Sequence, residues 1–361
     1  ASATIVVTAS HNPPRDNGYK VYLGGALFGS QLVPPQDAEI TSHIARIADE
    51  VRFEEIPFDK DFETLGEQEL ERYIERAKEL VSESPKLPIS LTYTAMHGVG
   101  YRIIKPIFDH LGLNWVSVSR QQEPDGTFPT VSFPNPEEPG AMDLAFETAK
   151  ANNSELIIAN DPDADRLAVA VQIANGYRML TGDEVGLILA EELVASGRAK
   201  VIANSIVSAS LAPLADYYSV QYQQTLTGFK WISKVPGLGY GYEEALGYCV
   251  DPSHTPDKDG ITAAVVMVDI AMRLKAQGSS LATHLARLNE RYGHLKTGQV
   301  SIRVTDLGVI SKIMSGVRST PLRISLLPCS VSTETCRFLI CKIAMCFFPK
   351  LRIRRILRHF R

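Results

Sequence analysis

The chain has 361 residues, 45% of them hydrophobic and 22% charged, with a formal net charge of −4, enough apolar material for two or three domains of ordinary size. No apolar run is long enough to cross a bilayer, and the slight negative balance gives no reason to expect nucleic acid as a partner. Four of the five cysteines, Cys329, Cys336, Cys341 and Cys346, crowd the end of the chain and none forms C-x-x-C. That spacing argues against a zinc site and a disulfide framework, and for a reducing, cytoplasmic compartment.

In chain order, Ile5-Val6-Val7 predicts the end of a buried strand, and the Pro pair in Thr8-Ala9-Ser10-His11-Asn12-Pro13-Pro14 keeps a helix from starting at once. Ser10 is therefore presented at a strand end. Asn17-Gly18 reads as a turn into a strand carrying Lys20. A helix is predicted over 37–49, with Ile40, Ile44 and Ile47 on one face, and a second over 70–81, charged enough to lie at the surface. The Pro-rich stretch 84–88 is a plausible domain joint. Beyond it, a strand over 89–93, a Gly-rich turn holding His97 and a helix over 102–111 form the strand-turn-helix unit of a parallel α/β sheet; His97 is read as structural. Pro124 to Pro139 fixes a backbone path, and a helix over 142–150 leads into the strand Leu156-Ile157-Ile158-Ala159.

The loop after that strand, Asp161-Pro162-Asp163-Ala164-Asp165-Arg166, sets three carboxylates at alternate positions with a cation beside them. Such hard oxygen donors repel one another unless a hard cation such as Mg²⁺ lies between them. A strand over 167–171 leaves the loop. Thr181 reads as a helix N-cap with acidic residues in the first turn, and its helix, to about 194, is expected to close the second domain. A third unit opens at 201–203. Gly237, Gly239 and Gly241 alternate, but without a strand before and a helix after they do not make a dinucleotide site. The apolar helix predicted over 261–275 is read as core.

These motifs carry a resemblance. T-A-S-H-N-P at 8–13 and D-P-D-A-D-R at 161–166 resemble the phosphoserine loop and the metal loop of the alpha-D-phosphohexomutase superfamily, in particular its phosphoglucomutase, phosphomannomutase and phosphopentomutase-like members. Gly241-Tyr242-Glu243-Glu244-Ala245-Leu246-Gly247-Tyr248 is similar to the family's sugar-binding loop, and Asp257-Lys258-Asp259-Gly260 follows in the matching order. The resemblance runs from residue 1 to about 324. It implies an α/β fold of consecutive domains with mixed sheets around a central cleft, divided at 1–84 (phosphoserine loop), 85–195 (metal loop), 196–300 (sugar-binding loop) and 301–361 (a linker remnant and a basic tail). It also implies that the chain starts inside its first domain. The family's R-x-S-G-T-E-P loop does not occur here, so a fourth domain is expected to be missing. From 318 to 361 there are ten Lys or Arg residues against the single acid Glu334. An aberrant C-terminus explains this balance better than a functional basic arm, although 350–361 is a candidate basic apolar helix.

By the same resemblance Ser10 is stored as a phosphoserine, with Mg²⁺ held by Asp161, Asp163, Asp165 and a phosphoryl oxygen on Ser10. Arg166 and Lys20 stabilise charge during transfer, and either Lys20 or His11 moves the proton of the attacking sugar hydroxyl. Glu243 and Glu244 accept hydrogen bonds from sugar hydroxyls, while Lys258 and Lys230 contact phosphate. The implied activity is interconversion of a sugar 1-phosphate with its 6- or 5-phosphate through a sugar bisphosphate, with sugar phosphates as the only expected partners and turnover impaired by the missing domain. A slow metal-dependent sugar phosphatase and an inactive sugar-phosphate-binding remnant are the alternatives.

Overall fold

The computed structural model describes residues 2–25, 29–293, 298–302, 306–319 and 341–345. They fall in two compact units, 1–292 and 293–361. The first unit carries three sheets, each of which delivers one loop to a common point.

The first sheet is antiparallel, with β1 (Ala3–Val7), β2 (Tyr19–Leu23) and β3 (Ser30–Gln31) in that order. The run at 5–7 is a strand, as expected, but not a buried one: Ile5 is 64% and Val7 82% exposed. An apolar run predicts burial only if a second layer covers it, and β1 is an edge strand that no described element buries. Helix α1 (Gln36–Glu50) follows the predicted span and likewise buries no residue. Helix α2 (Glu67–Lys78) is amphipathic rather than purely superficial. It buries Ile74 and Ala77, while Arg76 and Tyr73 reach back to Asp251 and Asp259.

The second sheet is mixed, in the order β5 (Asn114–Ser117), β4 (Ser90–Thr94), β6 (Leu156–Ala159), β7 (Ala168–Ile173), β8 (Gly176–Met179). Strand β4 runs parallel to β5 and β6, and β7 antiparallel to β6. Helices α3 (Gly100–His110) and α4 (Asp143–Ala151) follow β4 and precede β6. Strand β6 is buried throughout and its residues are apolar without alternation, each large side chain contributing about 2 kcal/mol by leaving water. Strand β4 alternates Leu91 and Tyr93 with Thr92 and Thr94, whose buried hydroxyls are hydrogen-bonded to Ser154 Oγ at 2.8 Å and Gln121 Oε1 at 2.7 Å. Register pairs Thr94 with Ala159, so the loops after β4 and β6 emerge side by side at the carboxyl edge, where open α/β sheets place their ligands.

The third sheet has the order β10 (Gln221–Thr225), β9 (Val201–Ser205), β11 (Tyr240–Glu243), β12 (Gly247–Cys249). Helices α6 (Ala212–Tyr218) and α7 (Phe229–Ile232) lie in its connections. Helix α5 (Gly182–Ala195) starts at Thr181 through a capping box with Glu184, as its sequence predicts. It packs on this sheet rather than on the second, with Tyr240 OH donating to Gly186 O at 2.9 Å and Tyr242 OH to Asp183 Oδ1 at 3.1 Å. Helix α8 (Gly260–Ala276) is buried on nearly every side, which is why it is apolar all round; α9 (Leu281–Tyr292) ends the unit.

The second unit contains β13 (Gly298–Ile302) parallel to β14 (Cys341–Met345), and helix α10 (Leu307–Ser319). The predicted helix at 350–361 and the segment around Glu334 lie outside the described residues. Among the described residues no helix is long and apolar enough to cross a membrane. The mixed-sheet α/β architecture is the one that the motifs imply.

Candidate active site

Ser10 sits in the turn that leaves β1, in a left-handed backbone conformation at φ 54°. The turn is closed locally: Thr8 Oγ1 accepts from Ser10 N at 2.8 Å and donates to Asp163 Oδ2 at 3.1 Å. Thr8 therefore ties the serine turn to the carboxylate loop. Ser10 Oγ lies 3.2 Å from Asp161 Oδ2, 3.1 Å from Asp163 Oδ1 and 3.1 Å from His11 Nδ1, within reach of all three for its single proton.

The loop 161–166 has its own frame. Arg166 N donates to Asp161 Oδ1 at 3.0 Å, and Ala164, also left-handed at φ 58°, donates its N–H to Asp161 O at 2.9 Å. Asn160, held by Tyr93 OH at 3.0 Å, donates to Arg166 O at 2.6 Å. Arg166 also bridges to Gly247, joining the loop to the third sheet. Positive φ at two non-glycine residues costs energy, and such strain collects at functional loops.

Cations surround the three acids. Lys20 Nζ, from β2, lies 3.0 Å from Asp163 Oδ2 and 2.6 Å from Asp165 Oδ2. Lys258 Nζ is 3.3 Å from Asp165 Oδ2, and Arg166 Nε is 3.8 Å from both Asp161 Oδ2 and Asp165 Oδ1. These surroundings separate the titrations. Burial, with Asp165 and Asp163 beside it, drives the Asp161 carboxyl well above the carboxylate range. Asp165 is buried too, but Lys258, Lys20 and Arg166 outweigh that and bring it down to about 2. Lys20 and Lys258 rise because the neighbouring carboxylates outweigh the burial that opposes their charge. Burial, reinforced by Arg166, lowers His11 to about 4, so its imidazole is neutral at pH 7.

The three aspartates fit a hard divalent cation. One oxygen from each lies within 4.8 Å of the others, and Asp165 Oδ1 is a buried atom with no hydrogen bond. Its ion pair with Arg166 Nε, at 3.8 Å, is longer than a hydrogen bond, so this oxygen keeps its lone pairs for a hard cation.

Of the two sugar-loop acids, the structure brings one to the cluster. Glu243 ends β11, is buried, and has its pKa raised by that burial against the pull of Lys258 and Arg166. A Cβ at Gly247 would lie 2.5 Å from Lys258 Cδ and 2.9 Å from Glu243 Cγ, so both side chains cross the bare glycine. Glu244 turns the other way and accepts from Ser208 Oγ at 2.5 Å. Lys230 lies in α7 with its ammonium 5.9 Å from the centre of the Trp231 ring, and no hydrogen bond or ion pair among the described residues joins it to the cluster. His97 is buried against Thr130 Oγ1 at 2.8 Å, the structural role expected of it. Sequence reasoning missed Thr8, Phe229, whose ring lies 5.3 Å below Lys258 Nζ, and the tyrosines described below. Thr8 stands inside the serine motif and was the most discoverable of these.

Family models match in register with this geometry. "Phosphoglucomutase/phosphomannomutase, alpha/beta/alpha domain I" matches residues 1–51, domain II 71–173 and domain III 181–292. The chain belongs to the phosphoglucomutase/phosphomannomutase family. A "Probable phosphomannomutase" of Haemophilus influenzae is 48% identical over 325 residues, covering 89% of this chain and 67% of the relative. A "Probable phosphoribomutase" of Schizosaccharomyces pombe is 36% identical over 82% of this chain and 54% of its own length. The chain thus spans between half and two thirds of these curated relatives. A solved phosphoglucomutase/phosphomannomutase family protein from Burkholderia thailandensis shares the fold with a TM-score of 0.63 at 24% identity, over 80% of this chain and 58% of that one.

Proposed function

We propose that the chain takes part in phosphoryl transfer to and from sugar phosphates through Ser10, as a phosphomutase interconverting a sugar 1-phosphate and its 6- or 5-phosphate. The observation that carries this reading is the position of Ser10 Oγ, 3.2 Å or less from Asp161 and Asp163. A serine hydroxyl is a weak nucleophile, and the cluster supplies what it lacks. Asp161, Asp163 and Asp165 would hold Mg²⁺ together with an oxygen of phosphorylated Ser10; bound there, the ion offsets phosphoryl charge. Arg166, Lys20 and Lys258 stabilise the charge that develops on the transferring oxygens. When Ser10 accepts a phosphoryl group the bond from phosphorus to the sugar oxygen breaks; His11, neutral and 3.1 Å from Oγ, takes the Oγ proton, and the departing sugar oxygen takes a proton from Lys20 or His11. In the return step the P–Oγ bond breaks, the attacking sugar hydroxyl gives its proton to the same group and Oγ regains its own, so protons balance. A sugar bisphosphate is then both intermediate and phosphate donor. Glu243 reads sugar hydroxyls beside Lys258, while Glu244, held by Ser208 Oγ, and Lys230, over Trp231, reach substrate only if it extends beyond the cluster. Three parts divide the work: the serine sheet within 1–84, the carboxylate loop within 85–195 and the sugar-reading loop within 196–300. A cytoplasmic setting follows from substrates whose charge keeps them from crossing a bilayer.

Incubation of the purified chain with Mg²⁺ and glucose 1,6-bisphosphate, followed by peptide mass spectrometry, is expected to show phosphate on Ser10. An unmodified Ser10 would overturn the reading for this chain. Asp163→Asn removes one of three clustered charges, and titration calorimetry is expected to show Mg²⁺ affinity reduced by roughly 10- to 100-fold; unchanged affinity counts against the metal assignment.

A further inference from the structure

Two carboxylates flank Lys258 between β12 and α8, and each receives a tyrosine hydroxyl. Asp259 caps α8, accepting from Ile261 N and Thr262 N at 3.0 Å, and Tyr73 OH adds contacts of 2.8 Å to both of its oxygens. That arrangement supports a helix end. Asp257 does something different: Oδ1 accepts from Lys258 N at 2.7 Å and lies 3.3 Å from Lys258 Nζ, while Oδ2 accepts from Tyr22 OH at 2.5 Å. Tyr22 stands two residues after Lys20 on β2, so both side chains leave the same face of the strand. One reaches Asp163 and Asp165, and the other reaches the residue that orients Lys258. Burial and the Asp257 charge raise the Tyr22 phenol far above its ordinary range, so it remains a donor.

We propose that Tyr22 is a positioning residue: it fixes the Asp257 carboxylate, Asp257 aims the Lys258 ammonium at Asp165, and β2 thereby sets both lysines of the cluster as one piece. The consequence for catalysis rests on the phosphomutase reading; the geometry does not. Trace acetylation with acetic anhydride, read lysine by lysine by mass spectrometry, tests it without any need for turnover. In Tyr22→Phe, Lys258 is expected to react roughly fivefold faster, as loss of one hydrogen bond allows, with Lys86, paired to Asp269 at 3.0 Å, as the internal reference. Asp257→Asn should do the same, and Tyr22→Phe should add nothing in that background. An unchanged Lys258 rate, additive effects of the two substitutions, or an equal rise at Lys86 would each overturn the proposal. Phosphorylation of wild-type Ser10 is scored separately, so failure of the phosphomutase reading is visible on its own. Where Ser10 does take phosphate, Tyr22→Phe should slow uptake about fivefold and leave Mg²⁺ affinity unaltered.

Discussion

Ser10→Ala is expected to lose phosphate uptake from glucose 1,6-bisphosphate by at least ~10³-fold, as removal of a nucleophile does elsewhere. Oγ is the atom on which the serine turn, the carboxylate loop and His11 converge, and alanine deletes that atom while leaving the backbone that presents it. The turn should survive, because its closing bond uses Ser10 N and Thr8 Oγ1 rather than the serine side chain. Stability should change by no more than about 1 kcal/mol, the worth of a half-exposed hydrogen bond. Mass spectrometry and urea unfolding on the same sample check both halves. Undiminished uptake in the variant would place the acceptor elsewhere, and a large loss of stability would recast Ser10 as a structural residue.

Gly260→Ala is expected to destabilise the first unit by about 3 kcal/mol, the upper part of the range for overpacking, and to weaken Mg²⁺ binding with it. Alanine is the better helix former by about 1 kcal/mol, and Gly260 is the first residue of α8, so propensity alone predicts a gain. The neighbours decide otherwise. A Cβ there would stand 2.1 Å from Arg166 O and 2.6 Å from Asn160 Nδ2, and the first of these is backbone that cannot rotate aside. Gly260 N also donates to Ala164 O at 3.1 Å, so the start of α8 is a wall of the carboxylate loop. Helix and loop must separate to admit the methyl group, which moves Asp161, Asp163 and Asp165 together. Denaturant unfolding and Mg²⁺ calorimetry measure the two effects; a variant as stable as the parent would show that this contact is looser than the structure has it.

The two loops around Ser10 and Asp161 were legible because each is a short run of chemically unusual residues after an apolar strand, and strand-end loops in α/β folds face a common edge. Helices α1, α5 and α8 were legible from their spacing and, for α5, from the Thr181 cap. The exposure of β1 was not, since an apolar run has the same appearance whether or not another layer covers it. Nor was the packing of α5 on the third sheet, because a helix between two sheets carries no mark in its own sequence of which one it joins.

The sequence by itself determined the donor set: a serine, three alternating aspartates and an arginine within two local motifs, whose spacing follows from short-range backbone geometry. Tertiary structure alone decided how the distant residues combine. It brought Lys20 and Lys258 onto the same Asp165 carboxylate, set Glu243 beside Lys258 while sending Glu244 to Ser208, and joined Tyr22 to Asp257 across 235 positions of chain. The physical reason is that Coulomb and hydrogen-bond energies depend on separation in space, and for residues hundreds of positions apart that separation is set by how the three sheets pack.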